Sequence, residues 1–266
     1  MPAAKGRIHI GIGGWTFPPW RGVFYPKGLP HKAELAYAAQ HLTGIEVNGT
    51  FYRLQSPESF AKWHDETPEG FVFALKGSRF VTNRRVLAEA GPSLEKFFAS
   101  GLTALKAKLG PINWQLAGTK QFDAADVDAF LGLLPKQLDG LALRHAIEAR
   151  HESFRNPEFI DIARKHGVAI VTAADSEYPQ FTDLTAPFAY LRVMGTMADH
   201  ATGYAAAALD AWAARARALA AGQGLDDLAP PVAGAAPVVP RDVFLFVISG
   251  AKERNPAAAM ALISRP

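Results

Sequence analysis

Seven polar residues stand at the ends of short apolar runs spaced along this chain: Glu46, Asn48, Lys76, Gln115, Glu148, Arg150 and Arg192. Carboxylates, cations and amides in one pocket are the ingredients of acid–base and electrostatic catalysis on a polar or anionic molecule. Glu46 and Glu148 are the candidates for proton transfer. Lys76 can fix an anion or, once desolvated, attack a carbonyl as a Schiff-base nucleophile. Arg150 and Arg192 would hold negative charge, while Asn48 and Gln115 would orient a substrate. Asp175 is a looser member of the set. His151 follows Arg150 and can turn toward the same place, and Trp15, behind Gly11, Gly13 and Gly14, offers an indole face. Opposite charges gathered this closely shift one another's pKa, which is what such chemistry exploits. The bland alternative is neutralised packing, in which buried Glu–Lys and Glu–Arg pairs only fill a core.

The runs that carry these residues look like strands. Arg7–Gly13, Gly44–Asn48, Phe71–Lys76, Ile112–Leu116, Leu143–Arg150, Val168–Ala173, Phe188–Val193 and Val243–Ile248 are short, β-branched or aromatic, and bounded by Gly, Pro or charge. Helical patterns lie between them over Lys32–His41, Pro57–Glu66, Pro92–Lys108, Ala124–Leu134, Pro157–His166 and Ala205–Ala220, and Pro256–Ser264 closes the chain. Ser56-Pro57, Asn156-Pro157 and Asp123 supply helix-start signals. The stretch Ser176–Pro187 has no clear assignment. Eight strand–helix units in 266 residues predict an α/β fold, a closed parallel (β/α)8 TIM barrel forming one domain. The Pro- and Ala-rich segment 221–241 predicts a mobile, protease-sensitive loop, dispensable for folding.

Side chains alternate along a strand, so one parity faces the helices and the other the barrel interior. Ile45 and Val47 alternate with Glu46 and Asn48; Phe73 and Leu75 with Ala74 and Lys76; Trp114 and Leu116 with Asn113 and Gln115. Ile147 and Ala149 alternate with Glu148 and Arg150, and Leu191 and Val193 with Tyr190 and Arg192. With the apolar set against the helices, the charged residues all point inward near the C-terminal ends of their strands, where barrel enzymes build their sites.

Composition narrows the function classes. There are no cysteines, which excludes disulfides, thiolate metal sites and cysteine nucleophiles. His145 and His151 lie on the parity opposite Glu148, and no His-Glu-x-x-His occurs, so neither a metal nor another cofactor is expected. The formal charge is only +3, with basic residues dispersed, so no nucleic-acid surface is expected. The polar start Met1–Arg7 and the lack of a long apolar run predict a cytoplasmic protein without membrane contact. Nothing in the pattern sets an oligomeric state.

Several motifs together resemble the YecE-like family, domain of unknown function seventy-two. They are Gly14-Trp15 with Trp20 and Phe24-Tyr25-Pro26, Glu46-Val47-Asn48 with Thr50-Phe51-Tyr52-Arg53, and Thr67-Pro68 ahead of Phe71–Lys76. Lys108-Leu109-Gly110-Pro111 and Glu148-Ala149-Arg150-His151-Glu152-Ser153-Phe154 belong with them. The resemblance runs from about Ile8 to Met194, more weakly beyond, and implies a barrel without implying a reaction. The chain departs from that family's pattern at Thr82-Asn83, Ile248-Ser249-Gly250 and Pro256–Ala259, where histidine, Asn-Asn-Asp and asparagine are usual. The expectation is an enzyme acting on a small polar or anionic metabolite, phosphorylated or sugar-like. A metal-dependent sugar isomerase or nuclease, and a non-catalytic ligand-binding or sensing barrel, are the alternatives.

Overall fold

The computed structural model of the chain describes residues 5–265; part of the polar N-terminal stretch, residues 1–4, lies outside the described residues. Eight strand positions, all but the sixth followed by a helix, make up the sheet: β1 (Ile8–Gly13), β2 (Gly44–Val47), β3 (Val72–Lys76), β4 (Leu109–Gln115), β5 (His145–Glu148), β6, β7 (Phe188–Val193) and β8 (Asp242–Val247). β6 consists of two short segments, Ala169–Ile170 and Thr172–Ala174. All pairings in this sheet are parallel, and β8 pairs with both β7 and β1. The first segment of β6 pairs with β5 and the second with β7. The two ends of the sheet are therefore one piece of chain, and the strands close into a TIM-type barrel. Val171, between the segments, donates its N–H to the Ile147 carbonyl at 2.9 Å, so the change of partner leaves that donor satisfied.

Helices α1 (Glu34–His41), α2 (Pro57–Asp65), α3 (Gly91–Phe98), α4 (Ala124–Gly132) and α5 (Pro157–His166) follow β1 to β5 in turn. α6 (Ala206–Ala220) follows β7, and α7 (Asn255–Ile263) follows β8. The start signals act as expected: Ser56, Asp123 and Asn156 each accept a first-turn N–H. α3 is shorter than the pattern Pro92–Lys108 suggests. Gly101 takes a left-handed φ of 87°, and a side chain there would run into the Pro57 ring at the start of α2. The chain continues as tight 3-10 turns to Lys108, whose ammonium donates to the Thr67 carbonyl at 2.6 Å. Two of the quoted motifs thus meet where α2 ends. A hairpin, Gln137–Leu138 against Leu141–Ala142, precedes β5 around Asp139-Gly140, both at positive φ.

The two strand faces form separate apolar layers. Ile10, Ile45, Phe73, Trp114, Ile147, Leu191 and Leu245 pack under the helices in the main core. Val72, Ala74, Ala146, Ala169, Phe188, Tyr190, Phe244 and Phe246 fill the barrel interior. On the inward face, the residues two further along β3, β5 and β7 from Ala74, Ala146 and Tyr190 are Lys76, Glu148 and Arg192. The interior plug therefore leaves the polar layer at the C-terminal mouth.

Among the described residues no helix follows β6. Segment 221–241 runs over that gap without regular secondary structure and makes specific contacts there. Leu225 is fully buried and borders the same narrow crevice as Ile170, Thr172 and Leu219. Asp183 accepts the N–H groups of Val232 and Ala233, both at 2.9 Å. Thr182 donates to the Ala229 carbonyl, and buried Arg241 donates to the carbonyls of Pro237, Val239, Gly222 and Ala186. The segment has no helix or strand of its own; Val232, Ala233 and Ala229 bind the rest of the fold through their backbone, while Arg241 ties the carbonyls of Gly222, Pro237 and Val239 together within the segment.

Candidate active site at the barrel mouth

Arg192, near the end of β7, ties the mouth together. Its guanidinium donates from Nε and Nη2 to the two oxygens of Glu46 on β2, each at 3.0 Å. Its Nη1 donates to Glu148 on β5 at 2.8 Å. All three side chains are fully buried. The Tyr190 hydroxyl adds a bond to Glu46 at 2.7 Å, and the Asn113 amide donates to Glu148 at 3.2 Å. Arg150, two residues beyond Glu148 on the same face, donates to it from Nε at 2.7 Å.

Gln115 closes the layer. Its side-chain oxygen accepts from Lys76 Nζ at 2.8 Å, Arg150 Nη2 at 2.9 Å and Arg192 Nη1 at 3.3 Å. Three cationic donors thus converge on one neutral oxygen. Arg150 also donates to the Tyr178 hydroxyl and lies over its ring at 4.2 Å, while the Lys76 ammonium sits 4.4 Å from the Phe51 ring centre. Among the described residues Lys76 makes no ion pair with a carboxylate.

Burial alone would raise the Glu148 pKa, but the Arg192 and Arg150 guanidiniums and the Asn113 amide more than offset it and hold the group below the ordinary carboxylate value. Burial works on Lys76 in one direction with nearby Arg192, and its pKa falls to about 8 despite the opposing carboxylates. Tyr190 is pushed well above its ordinary value by burial and by Glu46, so it stays a phenol and a donor. Burial would lower Arg192, yet Glu148 and Glu46 raise it, so it is a permanent cation.

Glu46, Lys76, Gln115, Glu148, Arg150 and Arg192 are therefore one connected cluster. Tyr190 and Asn113 join it from the same strand faces, Phe51 joins it from a single helical turn, Gly49–Tyr52, and Tyr178 from the loop after β6, outside the reach of strand alternation. The other sequence candidates lie apart from it. Asn48 and Trp15 line a neighbouring cavity of about 350 Å³ between the first two strand ends, where Trp15 packs edge-on against Trp63. His151 spends Nδ1 on Ser153 as the cap of a single 3-10 turn. Asp175, at a left-handed φ of 53°, accepts from Tyr204 and Trp212 on the far side of β7. Among the described residues, no three His, Asp or Glu side chains are grouped as a metal would require, and no helix is long and apolar enough to cross a membrane.

A family model described as a protein of unknown function, DUF72, matches residues 9–265. The chain belongs to the DUF72 family. This DUF72 protein is 26% identical over 150 residues to the UPF0759 protein YecE of Escherichia coli K12, covering 55% of the chain and 50% of YecE. It is 32% identical over 78 residues to the UPF0759 protein YunF of Bacillus subtilis, 29% of the chain and 27% of YunF. The chain thus spans about half the length of YecE and about a quarter of YunF. A DUF72 family protein of Thermotoga maritima shares the fold over 97% of both chains, with a TM-score of 0.70 at 19% identity. One from Enterococcus faecalis does so over 97% of both, with a TM-score of 0.65 at 16% identity.

Proposed function

We propose that the barrel mouth binds a small anionic metabolite, phosphorylated or sugar-like, and carries out proton transfer on it. One observation carries the reading: Lys76, Arg150 and Arg192 all donate to the neutral oxygen of Gln115, and Lys76 has no carboxylate partner among the described residues. An oxyanion at that point would satisfy the same donors with charge as well as geometry. Gln115 is then the group that moves aside or shares the donors when the ligand enters.

The roles follow from how each group is held. Arg192 is fixed on both sides by Glu46 and Glu148, so its charge is aimed before the ligand arrives and needs no reorganisation. Every oxygen of those two carboxylates already accepts a hydrogen bond, five of the bonds coming from arginines. Their part in this reading is to position Arg192 and Arg150, which differs from the proton-transfer role that strand parity alone suggests. Lys76 is the group suited to move a proton. With a pKa of about 8 it can exchange one near neutral pH, which an ordinary lysine cannot. Its neutral form is also a nucleophile toward a carbonyl, should the substrate carry one.

The test has two readouts. Inorganic phosphate is expected to raise the melting temperature of the parent protein, and Lys76→Met is expected to abolish that dependence. Turnover of a phosphorylated metabolite in a product screen should then be lost in the same variant. A parent protein indifferent to phosphate would overturn the anion site, and phosphate-dependent turnover unaffected by Lys76→Met would overturn the role of the lysine.

A further inference from the structure

Beside the mouth, the loops that follow β3 and β4 enclose a second cavity of about 620 Å³ lined by Thr82, Asn83, Arg84, Arg85, Thr119 and Lys120 among others. Its lining contains three cations and no carboxylate. Lys120 is paired with Asp126 at 2.6 Å outside the lining, and among the described residues Arg84 donates only to the Phe80 carbonyl and the Ser93 hydroxyl. Arg85 is exposed and makes no ion pair among the described residues. Independently of these charges, the Thr82 hydroxyl is buried without a hydrogen-bond partner. A buried hydroxyl left unpaired costs stability, and Thr82 is one of the residues that border this cation-rich cavity, so a missing acceptor belongs near it.

Ala117, at the edge of this cavity, is two residues beyond Gln115, so the two Cα atoms are at most about 7 Å apart. The mouth and the cavity therefore adjoin through the chain that follows β4. We infer that the ligand of this protein carries two oxyanionic ends, one at Lys76, Arg150 and Gln115 and the other in the cavity of Arg84, Arg85 and Thr82. This rests on the reading of the mouth as an anion site. It narrows the substrate class to small metabolites with two phosphate or carboxylate groups separated by a short chain.

The probes are propylphosphonate, with one oxyanionic end, and hexanediphosphonate, with two, titrated by calorimetry. The two-ended probe is expected to bind the parent protein at least about tenfold more tightly, because its second contact is made at high effective concentration. Arg85→Ala, at an exposed position that does not hold the fold, should erase most of that ratio. Thr82→Val, of the same shape without the hydroxyl, should reduce the ratio as well. Equal binding of both probes, weakened by Lys76→Met, overturns the two-ended ligand and leaves the mouth site standing. A ratio that persists in both Arg85→Ala and Thr82→Val also overturns it. Binding of neither probe overturns the mouth reading itself.

Discussion

Lys76 and His145 are both buried ionisable groups, on opposite faces of the barrel wall, and their protonation leaves opposite marks on stability. Burial pushes His145 down to about 4; it accepts from Trp114 Nε1 and therefore donates from Nε2 to the Pro135 carbonyl as a neutral ring. Between its ordinary value of 6.5 and about 4 the unfolded chain binds a proton that the folded one does not. Stability conferred by the neutral ring is present above that window and is lost as pH falls through it, by up to roughly 3 kcal/mol. Denaturant unfolding followed from pH 7 to pH 4.5 should show this slope, and His145→Gln should flatten it. For Lys76 the window lies between about 8 and the ordinary 10.5, where again only the unfolded chain holds the proton. Below about pH 8 the folded protein carries the cost of a buried ammonium, and stability should rise as pH increases through the window. Lys76→Met is thus expected to be more stable than the parent at pH 7, by as much as about 3 kcal/mol, and to lack that rise. A loss of stability in this variant would mean that the ammonium is neutralising a carboxylate after all. The convergence of Glu46, Lys76, Gln115, Glu148, Arg150 and Arg192 was legible because strand alternation is local geometry and needs no knowledge of the rest of the fold. The service of one amide oxygen to three cations was not legible, since it depends on side-chain reach across strands distant in sequence.

At the scale of elements, what the sequence disclosed was what local chemistry writes: capping residues, first-turn prolines and apolar strand runs. The Asp139-Gly140 turn is also of this kind, and its hairpin escapes notice only because two-residue strands carry no periodicity. The division of β6 and the absence of a helix after it follow from tertiary partners. So does the docking of segment 221–241, whose Pro and Ala content suggests a free loop while Asp183, some fifty positions away, holds it. The carboxylate of Asp183 is buried and accepts two backbone N–H groups of that segment. Asp183→Ala should therefore cost roughly 2–3 kcal/mol and speed proteolytic cutting between residues 226 and 240. Unchanged cutting by a broad-specificity protease would show that Leu225 and Arg241 hold the segment without it.

For the molecule as a whole, the barrel is closed at the position where β6 changes partner, and β6 is joined to β5 through only two residue pairs, Ala146 with Ala169 and Ile147 with Ile170. Arg192 on β7 reaches across this narrow join to Glu148 on β5 and across the interior to Glu46 on β2. Its partners lie 44 and 146 residues away along the chain, so none of these bonds can form before the strands on both sides of the join have assembled. This has a kinetic consequence. Contacts of such separation, made between groups that prefer water until all are present, belong to the last stage of folding. Arg192→Met should then leave the refolding rate nearly as it is and place its cost, roughly 3–5 kcal/mol or more, in faster unfolding. Stopped-flow chevrons would separate the two limbs. The protein would hold its shape chiefly by the slowness of opening, and the charges grouped for a ligand at the mouth would also be the latch that sets its lifetime.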